Sequence, residues 1–418
     1  MKQIATLMKI ITPSIAVFIV MALLVAGCKQ EASKDNADPE KLAQPTSAAS
    51  VAGIKEVVLS GFGYELGFQH GKALKTEIAE IVTKWKENTA ATLKRDPDSV
   101  LADFYAYAQF EEAIKTYTPE LYQEIRGIAE GSGQDFYDIL ILNLLDEFWV
   151  YIDNPENHHC SNVGVPAQNG NPGYIAQNMD IEAYTDGYQT LIRVQRTDTH
   201  PEKLILTHPG LIALNGMNEE GIGVVVNTIM ELLSAPDGLP VACIVRKILD
   251  QKNEEELLDF VKTAPHASGQ NYILGIRGNV YDFEASANRV VAFNPNNQNG
   301  TIYHTNHPIV NSDLKPWHSI YNPSQAAEDL PVLSNSYVRL AALEKRFASS
   351  IEISDVNIMG ALRSKDDPDN PVCRNLTPGL GGFTFASVIM TFSATPSLQV
   401  TSGPPDESEY AEYYFESD

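Results

Sequence analysis

Along the first third of the chain, apolar residues return every three or four positions, in LGFQHGKALKTEIAEIVTKWKENT and again in FEEAIKTYTPELYQEIRGIAEG. Residues 62–150 are therefore predicted to be helical. Beyond residue 160 the texture changes. Short runs rich in β-branched residues (GYIAQNMDI, YQTLIRVQR, KLILTHPG, GIGVVVNTI) are punctuated by Asn and Gly and predict strands. The clearest signal is a hairpin from Leu214 to Ile229, whose apolar arms are joined by Asn218-Glu219-Glu220-Gly221. Two helices, Pro240–Gln251 and Glu254–Thr263, are expected next, then strands at Asn271–Ile276, Val280–Ala285, Val290–Phe293 and Thr301–Thr305. A helix over Asn335–Phe347 and strands at Phe383–Phe392 and Ser397–Thr401 complete the order. Helices in consecutive pairs beside runs of strands, without strict alternation, predict a layered α+β architecture with antiparallel sheets. The acidic, aromatic tail EYAEYYFESD has no functional reading.

The N-terminus follows different rules. Lys2 and Lys9 give a positive start, Ile10 to Leu24 an apolar stretch, and Val25-Ala26-Gly27 a small-residue exit, the parts of a secretion leader. The stretch falls short of the ~20 apolar residues that a spanning helix needs. Cys28 follows at once, and the arrangement resembles the lipobox of bacterial lipoproteins. That resemblance implies a signal peptide over residues 1–27, lipidation of Cys28 and a mature chain tethered to the membrane of the cell envelope, at the outer membrane or facing the periplasm in a Gram-negative host. Residues 28–50 are polar and small and read as a disordered tether, because they cannot bury enough apolar surface to fold. Residues 51–159, helical, and 160–418, strand-rich, are expected to form one folded unit. With 44% hydrophobic and 20% charged residues the chain has ample material for a packed core.

The formal charge of −24 changes the list of partners. Loss of Lys2 and Lys9 with the leader takes it from −24 to −26, and such a surface repels phosphate backbones, which excludes nucleic acid. Four cysteines are present, at 28, 160, 243 and 373. With the first consumed by lipid, an odd number remains. Cys243 and Cys373 are a conceivable disulfide, leaving Cys160 as a free thiol.

Cys160 stands at the junction of the helical and strand-rich segments, in Asn157-His158-His159-Cys160-Ser161-Asn162. Downstream come Gln177-Asn178-Met179-Asp180, a glycine and asparagine hairpin from Gly216 to Asn227, and His304-Thr305-Asn306-His307. Upstream lie Gly63-Tyr64-Glu65-Leu66-Gly67 and Glu130-Gly131-Ser132-Gly133. In that order these motifs resemble the penicillin acyltransferase-related branch (peptidase family C45) of the N-terminal nucleophile hydrolases, distantly like choloylglycine hydrolases and acid ceramidase. The resemblance covers residues 57 to 400. It implies the four-layer αββα sandwich and self-cleavage between His159 and Cys160, with the two chains remaining associated. It also implies a cysteine nucleophile whose own α-amine is the base, since a free α-amine titrates at roughly 7.7–8.0, near working pH. Residue by residue, the match implies that Asp180 orients the amine, Asn306 is the oxyanion donor, Asn227 aids the oxyanion through its backbone, and Arg339 supports the site electrostatically. The expected reaction is hydrolysis of a linear N-acyl amide, with no cofactor.

The match has departures. His159 and Ser161 stand where the branch usually has Gly and Thr, and Gln177 stands where bile-salt hydrolases and acid ceramidases have Arg. A metal site built from His158, His159 and Cys160 with His304 and His307 lacks the CxxC or HExxH spacing. A papain-like Cys/His pair lacks the local signature of its cysteine. An acyltransferase, or a non-catalytic surface lipoprotein that keeps the fold as a binding module, remain the rivals.

Overall fold

The helical periodicity of the first third resolves into α1 (Tyr64–Ala73), α2 (Lys75–Leu93), α3 (Pro97–Tyr107), α4 (Phe110–Tyr117), α5 (Pro119–Ser132), α6 (Phe136–Leu142) and α7 (Leu145–Tyr151). The structure, a computed structural model, describes residues 46–47, 54–152, 159–297, 299–316, 331–348, 353–379 and 381–416. The leader, Cys28 and His158 lie outside the described residues, as does the tether apart from Thr46 and Ser47. Later helices are α8 (Val241–Ile248), α9 (Glu254–Thr263), α10 (Pro331–Phe347) and α11 (Asp355–Leu362). Local chemistry sets some of these limits. Asn253 caps α9 by accepting from the Glu256 amide at 3.0 Å, and three glutamates in the first turn favour the positive end of the helix dipole.

Two of the motif glycines upstream of Cys160, Gly67 and Gly131, prove to be packing residues. α1 and α5 cross so closely that a Cβ on Gly67 would lie 1.9 Å from the Glu124 carbonyl oxygen, and one on Gly127 2.2 Å from that of Tyr64. Gly71 and Gly131 repeat the relation one turn on, at 2.3 Å each.

The strands are β1 (Thr46–Ser47), β2 (Lys55–Leu59), β3 (Ser161–Val165), β4 (Gly173–Glu182), β5 (Thr190–Val194), β6 (Lys203–Thr207), β7 (Asn215–Asn218), β8 (Ile222–Thr228), β9 (Gln270–Ile276) and β10 (Asn279–Ala285). They continue with β11 (Val290–Phe293), β12 (Ile302–His304), β13 (Gly382–Phe392), β14 (Ser397–Val400) and β15 (Ala411–Tyr414). Among the described residues they form two sheets, ordered β1-β2-β5-β6-β7-β8-β9-β10-β11 and β12-β3-β4-β13-β14-β15. The sheets pack face to face through β3 and β4 against β8 and β9. Helices α1 and α8 lie on the outer face of the first sheet, and α10 and α11 on that of the second, giving the αββα order. Every residue of β8 is buried because it has a helix on one side and a sheet on the other. The predicted hairpin is β7-β8: Gly221 sits at φ +73°, its amide donates to the Asn218 carbonyl at 3.1 Å, and Asn218 Oδ1 accepts from Ile222 N at 3.0 Å.

Several expectations need correction. The sheets are not wholly antiparallel, since β2 and β5 pair in parallel from Lys55–Thr190 to Leu59–Val194. The unread tail supplies β15, whose Ala411 and Tyr413 are buried. No disulfide links Cys243 and Cys373, both of which are buried free thiols, as is Cys160. Cys243 lies on α8, outside the first sheet, while Cys373 follows α11, outside the second, where its thiol donates to Asp406 Oδ1 at 2.9 Å. Two sheets between them put the pair beyond disulfide reach.

Candidate active site

Cys160 immediately precedes β3, the strand between β12 and β4. The registers His304–Asn162 and Ser161–Asn178, continued by two residues and one, place Asn306 and Met179 on either side of Cys160. The sulfur lies 3.7 Å from Met179 Sδ and 3.8 Å from the Asp180 carbonyl oxygen. β13 bulges between Thr384 and Ala386, opposite Asp180 and Met179, and so turns the chain at the site.

Arg339, fully buried on α10, is the hub. Its Nη1 donates to the Cys160 carbonyl oxygen at 2.7 Å and to Ser161 Oγ at 2.9 Å, Nη2 to Asn306 Oδ1 at 3.0 Å, and Nε to Asn335 Oδ1 at 2.7 Å. Asn335 Oδ1 also meets His159 Nδ1 at 3.0 Å. Asn306 is held from three sides: by Arg339, by its Nδ2 donating to the Thr228 carbonyl at 3.0 Å, and by its backbone N–H donating to Ser336 Oγ at 2.8 Å. With its Oδ1 occupied and one amide hydrogen committed, the second Nδ2 hydrogen of Asn306 is the remaining donor. His304 and His307, from the weighed metal set, have other partners: His304 Nε2 meets Glu284 Oε1 at 2.9 Å, and His307 Nδ1 meets Ser336 Oγ at 2.7 Å.

Burial shapes the electrostatics. The Cys160 thiol is pushed up to about 12, by burial first and by the Asp180 charge second. Asp180 is raised to about 6 by burial, against the pull of Arg374, whose Nη1 stands 3.8 Å from its Oδ2. Arg339 is lowered to about 10 by burial and stays charged at neutral pH.

A cavity of about 60 Å³ opens beside Cys160, walled by Met179 and Asp180 on one side and by Asn143 and residues of α7 and α8 on the other. Asn227 is not part of that wall. Its neighbours Val226 and Thr228 line the cavity, while Asn227 shares the β8 face of Gly223, where a Cβ would meet Met390, Phe392 and Ile175 of the second sheet. Both amide atoms of Asn227 are buried and have no partner. Gln177 also points between the sheets, donating to the Val226 carbonyl and accepting from Asn215 Nδ2, the latter at 2.8 Å. The structure thus brings Cys160, Asp180, Asn306 and Arg339 together with His159, and turns the Asn227 side chain behind the cavity wall, while the role expected of Asn227 belongs to its backbone N–H. No local pattern singles out Ser336, Asn335 or Arg374, although Ser336 falls in the Ser-Tyr-Val-Arg run that carries Arg339.

Two stacked sheets between helical layers, with a buried cysteine entering an inner strand, define the fold class of the N-terminal nucleophile hydrolases. A family model described as acyl-coenzyme A:6-aminopenicillanic acid acyl-transferase matches residues 167–377. The chain belongs to that family, a class of enzymes that make or break acyl-amide bonds. The 40 kDa form of acyl-coenzyme A:6-aminopenicillanic-acid-acyltransferase from Emericella nidulans is 26% identical over 296 residues, 69% of this chain and 76% of the relative. Among solved structures, penicillin V acylase from Agrobacterium tumefaciens has a TM-score of 0.39 at 13% identity, covering 62% of this chain and 86% of its own. A conjugated bile acid hydrolase from Clostridium perfringens has 0.37 at 15%, covering 62% and 97%. The Caenorhabditis elegans ortholog of N-acylethanolamine-hydrolyzing acid amidase has 0.37 at 15%, covering 55% and 92%.

Proposed function

We propose that this chain is a self-processing cysteine acylase that hydrolyses linear N-acyl amides, with Cys160 as its N-terminal nucleophile. The observation that carries the reading is the guanidinium of Arg339, which binds the backbone of Cys160 and the side chain of Asn306 at once. A thiol raised to about 12 needs a base at hand, and the α-amine that cleavage before Cys160 would free is such a base. In the proposed cycle the sulfur attacks the amide carbonyl while its proton passes to the amine. The C–N bond then breaks, and the leaving nitrogen takes that proton. Water attacks the thioester, the C–S bond breaks and the acid departs. Asn306 offers its free amide hydrogen to the carbonyl oxygen as negative charge develops there. Asp180, raised to about 6, is ionised at neutral pH and balances the ammonium form of the freed terminus.

The parallel β2-β5 ladder and the buried Glu124–Arg246 pair, at 2.5 and 2.9 Å, span the proposed break and support the two pieces remaining together. We also propose that Cys28 carries the lipid anchor. Labelling with a palmitate analogue should be lost in Cys28→Ser. No helix among the described residues is long and apolar enough to cross a membrane.

The mass of the denatured protein tests the central reading. Two chains meeting at His159 and Cys160 are expected from the wild type, and one chain without amidase activity from Cys160→Ala. Splitting at the same bond in Cys160→Ala would rule the mechanism out, and an intact, inactive wild type would favour a binding module.

A further inference from the structure

The cavity beside Cys160 is lined by the three carboxylates of Asp146, Asp180 and Glu182, and, among the described residues, by no lysine or arginine. Asp180 has Arg374 beside it and, under the proposed function, the freed amine of Cys160. Among the described residues, no lysine or arginine pairs with the other two. Asp146 Oδ2 accepts from the neutral Thr228 Oγ1 at 3.0 Å and Gln270 Nε2 at 3.2 Å, and Glu182 stands beside the Trp149 indole.

Of the remaining polar groups, the Trp149 indole N–H is a buried donor beside Glu182, and the others are acceptors or already committed. Asn143 donates to the carbonyls of Ile139 and Gly210 and accepts from Ile212 N, so nothing of it is left for a ligand. His208 Nδ1 lies 3.1 Å from the Pro209 carbonyl oxygen and must carry the proton, which leaves Nε2 as a bare acceptor. That Nε2 is fully buried, without a partner, on a residue of the cavity wall. The rest of the wall is apolar, with Leu145, Trp149, Leu211, Val226, Val241 and Val245 prominent.

An apolar sleeve with two carboxylates that meet no lysine or arginine and a bare imidazole acceptor is complementary to a short chain ending in a cation. The unpartnered His208 Nε2, and carboxylates whose donors are all neutral, cost free energy that a ligand ammonium would recover, and the Trp149 ring adds a cation–π face. About 60 Å³ is open to the centres of water-sized groups, room enough for a short chain of several heavy atoms. The acyl group stays bonded to sulfur after the amine leaves, so the space at Sγ belongs to it.

We propose that the acyl group this site accepts is a short aminoacyl chain bearing a terminal ammonium, held by Asp146, Glu182 and His208 Nε2. The assignment deepens the acylase reading and rests on it for the identity of the group as acyl.

The test compares two amides of equal length, β-alaninamide and butyramide, which differ in ammonium against methyl. Titration calorimetry on the processed wild type at pH 7 should show β-alaninamide binding at least tenfold more tightly, with Glu182→Gln and Asp146→Asn each reducing that ratio. Equal binding, or a ratio unchanged in both variants, overturns the inference. Hydrolysis of the β-alanyl and butyryl p-nitroanilides separates the two proposals. Butyryl cleavage without β-alanyl cleavage sinks the aminoacyl assignment and leaves the acylase standing. Cleavage of neither, with the binding preference intact, sinks the acylase and keeps the cavity as an ammonium site.

Discussion

Arg339 Nη1 lies 2.7 Å from the carbonyl oxygen of Cys160, a residue 179 positions earlier in the chain. One planar group on α10 thereby fixes both the cysteine and, through Nη2, Asn306. A lysine ammonium has no fork to hold these acceptors together. Arg339→Lys should therefore lower kcat of the processed enzyme by on the order of 10²-fold, the size typical of a displaced oxyanion donor. It should also leave buried acceptors short of a partner, destabilising the fold by about 1–3 kcal/mol. Steady-state kinetics with a denaturation curve checks both, and full activity would remove Arg339 from the site.

Asp180 governs the acid limb of activity. With its carboxyl raised to about 6, kcat/KM should rise with pH through that value as the group ionises. Arg374, 3.8 Å away, opposes the rise. Arg374→Gln should move the limb to higher pH, because the charged carboxylate loses its nearest cation. A pH–rate profile with the limb unmoved would show that another group controls it.

Glu231 couples pH to stability. Burial raises its carboxyl to about 7, and among the described residues neither carboxylate oxygen has a hydrogen-bond partner. An unfolded glutamate titrates near ~4.3, so between these values the folded state keeps a proton that the unfolded state has released. The stability this confers is present below the lower value and is lost as pH rises through about 7. Glu231→Gln should raise the thermal midpoint more at pH 8 than at pH 5.5, and an equal change at both would contradict the linkage.

The α1–α5 crossing has an internal control. Gly67→Ala puts a methyl 1.9 Å from a backbone oxygen that cannot turn aside and should cost about 3 kcal/mol or more. Gly360, on α11, has nothing within 4 Å of its prospective Cβ, so Gly360→Ala should stabilise the protein by ~0.5–1 kcal/mol. Chemical denaturation of both variants distinguishes close packing from helix propensity, and a harmless Gly67→Ala would refute the packing role.

Hydrophobic period and turn chemistry were enough for the elements whose signals are local. The β7-β8 hairpin follows from its Asn and Gly turn, and α9 spans the predicted Glu254–Thr263 because its cap and acidic first turn are written in adjacent residues. β2, β3, α11 and β15 escaped prediction, since short runs such as KEVVL and AEYY have no distinctive period and become strands only by adding to a sheet edge or a neighbouring strand. The parallel β2-β5 pair joins residues about 135 positions apart, and no local pattern states which strand will meet which.

The candidate site divides in the same way. The sequence by itself determined which residue types were present in a telling order: a cysteine at a change of texture, an aspartate after a Gln-Asn strand, and an asparagine between two histidines. Only the tertiary structure decided that Arg339 would join Cys160 to Asn306, that Ser336 would pin the loop carrying Asn306, that Asn227 would turn its side chain behind the cavity wall, and that α7 and α8 would close an acidic sleeve over the sulfur. The reason is range. Helix caps and turns depend on neighbours within a few positions, whereas a buried guanidinium takes its partners from whichever strands the packed sheets bring within 3 Å.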